Sequence, residues 1–182
     1  MRVIAGKAKG QWLKSPRKSP IRPTTALVRG AIFSMLESTA NSWSRVIDLF
    51  AGTGALGIEA LSRGAEWADF VEQNPRCCAV IGENLERLRL TSQAKVYCCP
   101  VERALHLLGE EYDIIFADPP YSGPPLVNTL EELLGSKIVG AKAAVVVQHS
   151  SHQQLPLTLR WLQLVKQRHY GDTWVSIYGQ EG

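Results

Sequence analysis

The sequence predicts an α/β fold in which a mostly parallel sheet is covered by helices on both faces. Strand and helix patterns alternate along residues 45–149, which is typical of parallel strands joined by crossover helices. The patterns "LQLVKQRHY" and "TWVSIYG", separated by Gly-Asp at 171–172, predict a closing antiparallel hairpin. The chain has 182 residues, and neither repeats nor a second core are apparent, so we expect residues 1–182 to form one domain.

The first part of the chain is predicted to extend this domain. Residues 2–14 resemble two short strands around a Gly/Lys turn, and the prolines and serines of 15–23 indicate a loop. We therefore divide the domain into a basic N-terminal hairpin extension, 1–22, and a core, 23–182. A helix is expected after Thr24 or Thr25, because apolar residues recur there at helical spacing: Val28, Ala31, Ile32, Met35 and Leu36.

The remaining elements follow from apolar runs and from their Gly and Pro boundaries. The predicted strands are 45–50, 68–72, 94–98, 112–117, 143–149, 162–170 and 173–179. The predicted helices are 55–64, 75 to about 90, 101–108 and 125–134.

Charge is distributed unevenly along the chain, although the net charge is only +3. Before Glu37 there is no acidic residue, whereas that stretch holds eight basic ones: Arg2, Lys7, Lys9, Lys14, Arg17, Lys18, Arg22 and Arg29. This asymmetry indicates either a polyanionic partner or a solvated basic segment, and charge alone does not decide between them.

Other features narrow the class of protein. No apolar run approaches the ~18 residues of a membrane span, and the N-terminus lacks the apolar stretch of a signal peptide. The four cysteines form two adjacent pairs without metal-site spacing, so we expect free thiols, a reducing cytoplasm and no bound metal. We also expect no membrane partner.

A glycine-rich loop follows the first predicted core strand. The stretch "DLFAGTGALG", residues 48–57, contains G-x-G-x-x-G, a pattern found in dinucleotide-binding proteins. Asp48, however, would repel a pyrophosphate and attract the positive charges of S-adenosylmethionine (SAM). Glu72 ends the next strand, where a carboxylate can accept ribose hydroxyls in either ligand. The loop therefore leaves both cofactors open and moderately favours SAM.

A second motif, "FADPPYSG" at 116–123, supports a more specific interpretation. It begins where a parallel strand ends, so Asp118 should lie at the same edge of the sheet as Gly52 and Glu72. Two prolines make the turn rigid, and Asp118 and the Pro119 carbonyl offer acceptors beside the aromatic face of Tyr121. These groups suit methylation of an exocyclic amine, because two acceptors can hold the amine while the ring stacks on the base.

Together the motifs resemble those of the RsmD family, bacterial 16S rRNA (guanine-N2)-methyltransferases that use SAM. The resemblance rests on "RVIAGKAKGQWL", "IRPTTALVRGAIFSML", "DLFAGTGALGIEALSRGA" and "FADPPY", and it is weakest over 123–182. It implies a Rossmann-like, mostly parallel seven-stranded sheet and a catalytic core at 23–182. It also implies a partly or fully assembled small ribosomal subunit as substrate. We expect the enzyme to act as a monomer.

The resemblance also implies roles for individual residues. The catalytic turn comprises Asp118, Pro119, Pro120 and Tyr121. The SAM contacts are Asp48, Ala51, Gly52, Thr53, Gly54, Glu72, Gln73 and Val101. The RNA contacts are Arg2, Lys7, Lys9, Lys14, Arg17, Arg22 and Arg29. Many SAM enzymes carry Asp or Asn where this chain has Pro100, so the Val101 backbone or Glu102 is expected to read the adenine instead.

Three alternatives remain at this point. A DNA adenine-N6 methyltransferase can carry the same turn but usually needs a larger recognition segment. An NAD(P)-dependent oxidoreductase accounts for the glycines but not for the D-P-P-Y turn. A non-catalytic ribosome-assembly protein would bind RNA without transferring a methyl group.

Overall fold

A computed structural model describes residues 1–17, 24–40 and 42–180 of the protein. The helices are α1 (Ala26–Glu37), α2 (Ala55–Ser62), α3 (Pro75–Arg87), α4 (Val101–Leu107) and α5 (Leu126–Gly135), with a 3-10 turn at Thr91–Gln93. The strands are β1 (Arg45–Leu49), β2 (Trp67–Glu72), β3 (Ala94–Cys98), β4 (Tyr112–Ala117), β5 (Val139–Ser150), β6 (Thr158–Leu159), β7 (Leu162–Tyr170) and β8 (Thr173–Gly179).

All eight strands form one sheet in the order β3-β2-β1-β4-β5-β8-β7-β6. The strands from β3 to β5 in this order are parallel, while β8, β7 and β6 add antiparallel pairs. The predicted α/β fold with its antiparallel C-terminal hairpin is confirmed. The predicted count of seven strands is one short, because the two-residue β6 at the sheet edge is too brief to leave an alternation pattern.

Alternation along the central strands directs side chains into two hydrophobic layers. Val46 and Phe116 face the layer that contains α1, α2 and α3. Ile47 and Ile115 face the opposite layer, which contains α4 and α5. Because successive side chains of a strand point to opposite faces, each buried strand contributes to both layers.

Helix starts are fixed by local capping. The Thr25 hydroxyl accepts a hydrogen bond from the Val28 N–H at 3.3 Å, as the sequence predicts for one of its two candidate caps. Asn74 caps α3 by accepting from the Arg76 N–H at 2.9 Å, with Pro75 at the first helical position.

The N-terminal segment, residues 1–17, differs from its prediction in one respect. In place of two regular strands, it forms an irregular hairpin with a single antiparallel bridge between Arg2 and Trp12. Turns at Gly6 and Gly10, both with φ of +81°, interrupt the ladder. Short strands flanking two left-handed glycines cannot maintain regular pairing.

Buried polar groups of α2 and α3 anchor the N-terminal segment. The Glu59 carboxylate accepts from the Ile4 N–H at 2.8 Å and from the Ala5 N–H at 2.9 Å. Asn84 bonds both the N–H and the carbonyl of Lys14. A Cβ on Gly6 would lie 1.8 Å from the Ser62 carbonyl oxygen, so only glycine allows this close approach.

No helix in the described part of the chain combines the length and the apolar character needed to cross a membrane.

Candidate active site

A cavity of about 940 Å³ opens at the carboxyl ends of the parallel strands. It lies where the strand order reverses, between β1 and β4, which is the usual ligand position in open α/β sheets. Its volume falls within the ~300–1,000 Å³ typical of small-molecule and cofactor sites. Its walls include all four residues of the predicted catalytic turn.

The glycine loop turns the chain from β1 into α2. Gly52 and Gly54 have φ of +57° and +77°, and Gly52 lines the cavity. Gly57 is required for packing, since a Cβ there would lie 2.4 Å from the Phe70 ring. The pattern that resembles a phosphate-binding fingerprint therefore serves a tight turn and close helix-to-strand contact.

Asp48 supports this loop from behind the cavity wall. Its Oδ2 accepts the Gly57 N–H at 3.0 Å, which satisfies a donor in the first turn of α2 where the Gly54 cap has no side chain. Burial raises the pKa of Asp48 well above its usual range, and the charges of Asp118 and Glu72 raise it further, against the Gly57 bond. Asp48 is 3% exposed.

Four of the eight predicted SAM contacts line the cavity, and four do not. Gly52, Glu72, Gln73 and Val101 form part of its wall. The other four are buried around the glycine loop and do not form part of this wall, so their contacts with SAM stay predictions: Asp48, Ala51, Thr53 and Gly54.

Glu72 connects the glycine loop with the cavity. Its Oε2 accepts the Gly52 N–H and its Oε1 accepts the Asn74 N–H, both at 2.8 Å. These bonds fix the carboxylate at the end of β2 while it remains part of the cavity wall. Each carboxylate oxygen retains lone-pair capacity for a ligand hydroxyl.

The catalytic turn follows β4, and Asp118, Pro119, Pro120 and Tyr121 all line the cavity. Burial raises the pKa of Asp118 to about 6, and a hydrogen bond from the Thr24 hydroxyl opposes that rise. Tyr121 is 56% exposed at the cavity wall, so its ring is accessible. The turn thus combines the Asp118 carboxylate, whose pKa is raised to about 6, with the accessible ring of Tyr121.

Other residues complete the rim that sequence reasoning left unassigned. Phe50 lines the cavity with φ of +58°, a strained conformation for a large side chain. Gln148 comes from β5, Tyr170 ends β7, and Gly171 lies in the turn between β7 and β8. The sequence could have indicated Gln148 as a cavity residue, because it is a polar residue near the end of an apolar strand. No local pattern could have indicated the turn between β7 and β8, because only the pairing of β8 with β5 brings it to the cavity.

The chemistry of the wall determines which cofactor fits. Three acidic side chains, Asp48, Glu72 and Asp118, lie around the glycine loop, and the charges of Glu72 and Asp118 add to the burial that raises the pKa of Asp48. A pyrophosphate would meet unfavourable charge here, whereas the sulfonium and ammonium groups of SAM fit. Within residues 1–17, 24–40 and 42–180, no group of three or more His, Cys, Asp or Glu side chains could hold a metal ion.

The predicted RNA contacts comprise exposed residues, one residue outside the described part of the chain and one buried residue, Arg29. Arg2, Lys7, Lys9, Lys14 and Arg17 are exposed. Lys14 is paired with Glu83 at 2.7 Å. Arg22 lies outside the described residues.

Arg29 corrects the prediction that it contacts RNA. It is 1% exposed and donates to the carbonyls of Arg2 at 2.6 Å and Thr24 at 3.2 Å. An RNA phosphate cannot reach a guanidinium enclosed in this way. Arg29 instead fastens the start of α1 to the N-terminal segment, a role that depends on tertiary contacts.

Comparisons with known proteins agree with this geometry. The family model described as conserved hypothetical protein 95 matches residues 1–179. The Bacillus subtilis (strain 168) protein named "Putative rRNA methyltransferase YlbH" is 38% identical over 185 residues, covering 100% of both chains. The Escherichia coli (strain K12) protein named "Ribosomal RNA small subunit methyltransferase D" is 29% identical over 181 residues, covering 100% of this chain and 90% of its own.

A solved structure shares the fold closely. A hypothetical protein from Thermus thermophilus is 34% identical, with a TM-score of 0.83 over 97% of this chain and 98% of its own. The family model, the relatives and the cavity at the switch point lead to one conclusion: the chain belongs to the RsmD family of methyltransferases.

Proposed function

We propose that this protein transfers a methyl group from SAM to the exocyclic N2 amine of a guanine in 16S rRNA of the small ribosomal subunit. The proposal is based on one cavity that is shared by Glu72, at the end of β2 beside the glycine loop, and by Asp118 and Tyr121 of the proline turn. A cofactor subsite and an amine-binding subsite therefore open into the same space.

The cofactor subsite is assigned to the β1 and β2 side of the cavity. Glu72 would accept the ribose hydroxyls, while Gln73 and Val101 would line the adenosine. SAM supplies an electrophilic methyl group when bound. Asp48 would contribute negative potential from behind the wall and hold the loop shape through Gly57.

The amine subsite is assigned to the proline turn. The Asp118 carboxylate and the Pro119 carbonyl would accept the two N–H bonds of the amine, which directs its lone pair toward the cofactor. Tyr121 would stack on the guanine ring, and the Thr24 hydroxyl would hold the carboxylate in position. After transfer, the Asp118 carboxylate would take the excess proton, directly or through water.

The macromolecular partner is proposed to be the small subunit rather than free RNA. The exposed side chains of Arg2, Lys7, Lys9 and Arg17 would contact phosphates of the subunit. The Arg29 bonds connect Arg2 with Thr24, which lines the cavity, so the Arg2 end of this basic segment is close to the site. Lys7 bonds Gln93 directly before β3, so the segment runs from the cavity toward the opposite end of the strands. We propose that the protein acts as a monomer in the cytoplasm.

One experiment tests the proposed reaction directly. Small subunits isolated from cells that lack this gene are incubated with the protein and methyl-labelled SAM, and the labelled nucleotide is mapped. We expect a single N2-methylguanine in 16S rRNA. Label on adenine or on DNA would contradict the proposal, and binding without label would support a non-catalytic assembly protein.

A charge reversal tests the proposed partner surface. Changing Lys7, Lys9 and Arg17 to Glu should weaken subunit binding more than 10-fold at low salt, with a shallower salt dependence, because three phosphate contacts are removed. The matched control reverses three exposed basic residues on the other side of the sheet: Lys137 before β5, Lys142 within β5 and Arg160 after β6. If the two triple variants weaken subunit binding equally, the N-terminal segment is not part of the interface.

A further inference from the structure

Gln148 lies at the same level of the sheet as the catalytic carboxylate. Ala117, the last residue of β4, pairs with Val147 of β5, and Asp118 and Gln148 are the residues that directly follow this pair in the two segments. Val146 and Phe116, two residues earlier, both face the layer of α1. Because strand side chains alternate, Gln148 is directed to the face from which Thr24 approaches.

The amide of Gln148 is buried but weakly engaged. Its side chain is part of the cavity wall, and the residue is 4% exposed. Among the described residues, its side-chain partner is the Thr24 hydroxyl, which lies 3.4 Å from both Oε1 and Nε2. A Gln amide has two donor hydrogens and an acceptor oxygen, and 3.4 Å is at the outer limit of a hydrogen bond. A buried donor or acceptor that lacks a good hydrogen bond lowers the folding free energy gained, and a bound ligand can supply the missing partner.

Thr24 connects the two side chains, since it bonds Asp118 as well as Gln148. A group held by Asp118 is therefore within reach of the Gln148 amide. In guanine, the N1–H donor and the O6 acceptor lie side by side, next to the N2 amine. An amide presents the complementary pair, an acceptor oxygen beside a donor nitrogen.

We infer that Gln148 determines base specificity by accepting the guanine N1–H at Oε1 and donating from Nε2 to O6, while Asp118 holds the N2 amine. This inference rests on the proposed function of the same site. It identifies the part of the base that the enzyme reads besides the amine that it methylates.

The test varies the base and the side chain together. Small subunits are reconstituted on 16S rRNA that carries either guanine or 2-aminopurine at the methylated position. 2-Aminopurine keeps the exocyclic amine but lacks N1–H and O6. The wild-type protein should methylate the guanine subunit roughly 10-fold to 100-fold faster, because a bidentate pair supplies discrimination of this size.

Gln148→Met has a similar volume but no complementary donor and acceptor. It should lose most of its rate on guanine and should treat the two bases nearly equally, while its melting temperature and its affinity for SAM stay close to wild type. Gln148→Glu retains the acceptor for N1–H, so at pH 8.5 it should lose less rate on guanine than Gln148→Met does.

The outcomes separate the two levels of the proposal. Failure of the wild-type protein to methylate N2 of guanine contradicts the proposed function itself. If the wild type methylates guanine and Gln148→Met keeps the full preference for guanine over 2-aminopurine, the role of Gln148 is wrong. If Gln148→Met does not fold, Gln148→Glu carries the test, and an unchanged preference in that variant overturns the inference.

Discussion

Asp48 lies in β1 and Asp118 directly follows β4, the neighbouring parallel strand, yet the two carboxylates have different surroundings. Asp48 pairs in register with Phe116, so Asp118 lies two residues, or about 7 Å, farther along the strand direction. That offset places Asp48 under the glycine loop, bonded to the Gly57 N–H, and Asp118 in the cavity wall, bonded by the Thr24 hydroxyl.

The two carboxylates differ in the group that bonds them and in their access to the cavity. Asp48 accepts a hydrogen bond from the Gly57 N–H in the first turn of α2 and lies behind the cavity wall. A single hydroxyl orients Asp118 and leaves its remaining lone pairs directed to the cavity. Substitution of Asp48 should therefore affect stability most, and substitution of Asp118 should affect catalysis most.

The largest expected effect comes from Asp118→Ala. Turnover should fall roughly 10²–10³-fold, because an acceptor aimed at developing positive charge is lost, while SAM affinity stays unchanged. Turnover is measured on small subunits and SAM affinity by calorimetry. Wild-type turnover in this variant would exclude Asp118 from the reaction.

Asp118→Asn tests how the charge of Asp118 affects the stability of the fold. The pKa of Asp118 in the folded protein, about 6, lies above the 3.8 of an ordinary Asp, so ionisation opposes folding as pH rises from about 4 to 6. The amide removes that opposition, and the melting temperature should rise by about 2–4 °C for each kcal/mol recovered. The gain over wild type should grow between pH 4 and 6 and stay constant above pH 6. A gain that is independent of pH would contradict this account.

Asp48→Ala is expected to lower the stability of the fold more than it lowers turnover. It leaves the Gly57 N–H buried without its acceptor, which costs about 1–3 kcal/mol of folding free energy. Asp48→Asn retains an acceptor at the same place and should melt at or above the wild-type temperature. Thermal denaturation of the two variants tests the difference, and equal melting temperatures would remove the proposed capping role.

The smallest effect concerns the pH profile of methyl transfer. Because the Asp118 carboxylate must be ionised to accept the amine, kcat/KM should fall as pH drops through about 6. Thr24→Val removes the hydrogen bond that lowers this pKa, so the midpoint should move upward by up to about one unit. Thr25→Val changes a neighbouring cavity residue and removes the cap of α1, but it removes no bond to Asp118, so it serves as the control with an unshifted midpoint.

The sequence was informative where chemistry depends on neighbouring residues. The run before Asp118 is a buried strand, and the prolines after it form a turn, so its position at the sheet edge could be predicted. Both motifs reach one cavity because parallel strands end at the same edge. The antiparallel hairpin at 162–170 and 173–179 could likewise be read from alternation and a Gly-Asp turn.

By itself, the sequence determined the α/β fold, the order of its core elements and the edge where Glu72 and Asp118 meet, because period and turn chemistry are local. The tertiary structure alone decided that Asp48 is sealed behind the loop and that Arg29 is interior. It also decided that Gln148 lies beside Asp118. These outcomes depend on strand register and on contacts between residues 27 to 124 positions apart, which no local pattern encodes.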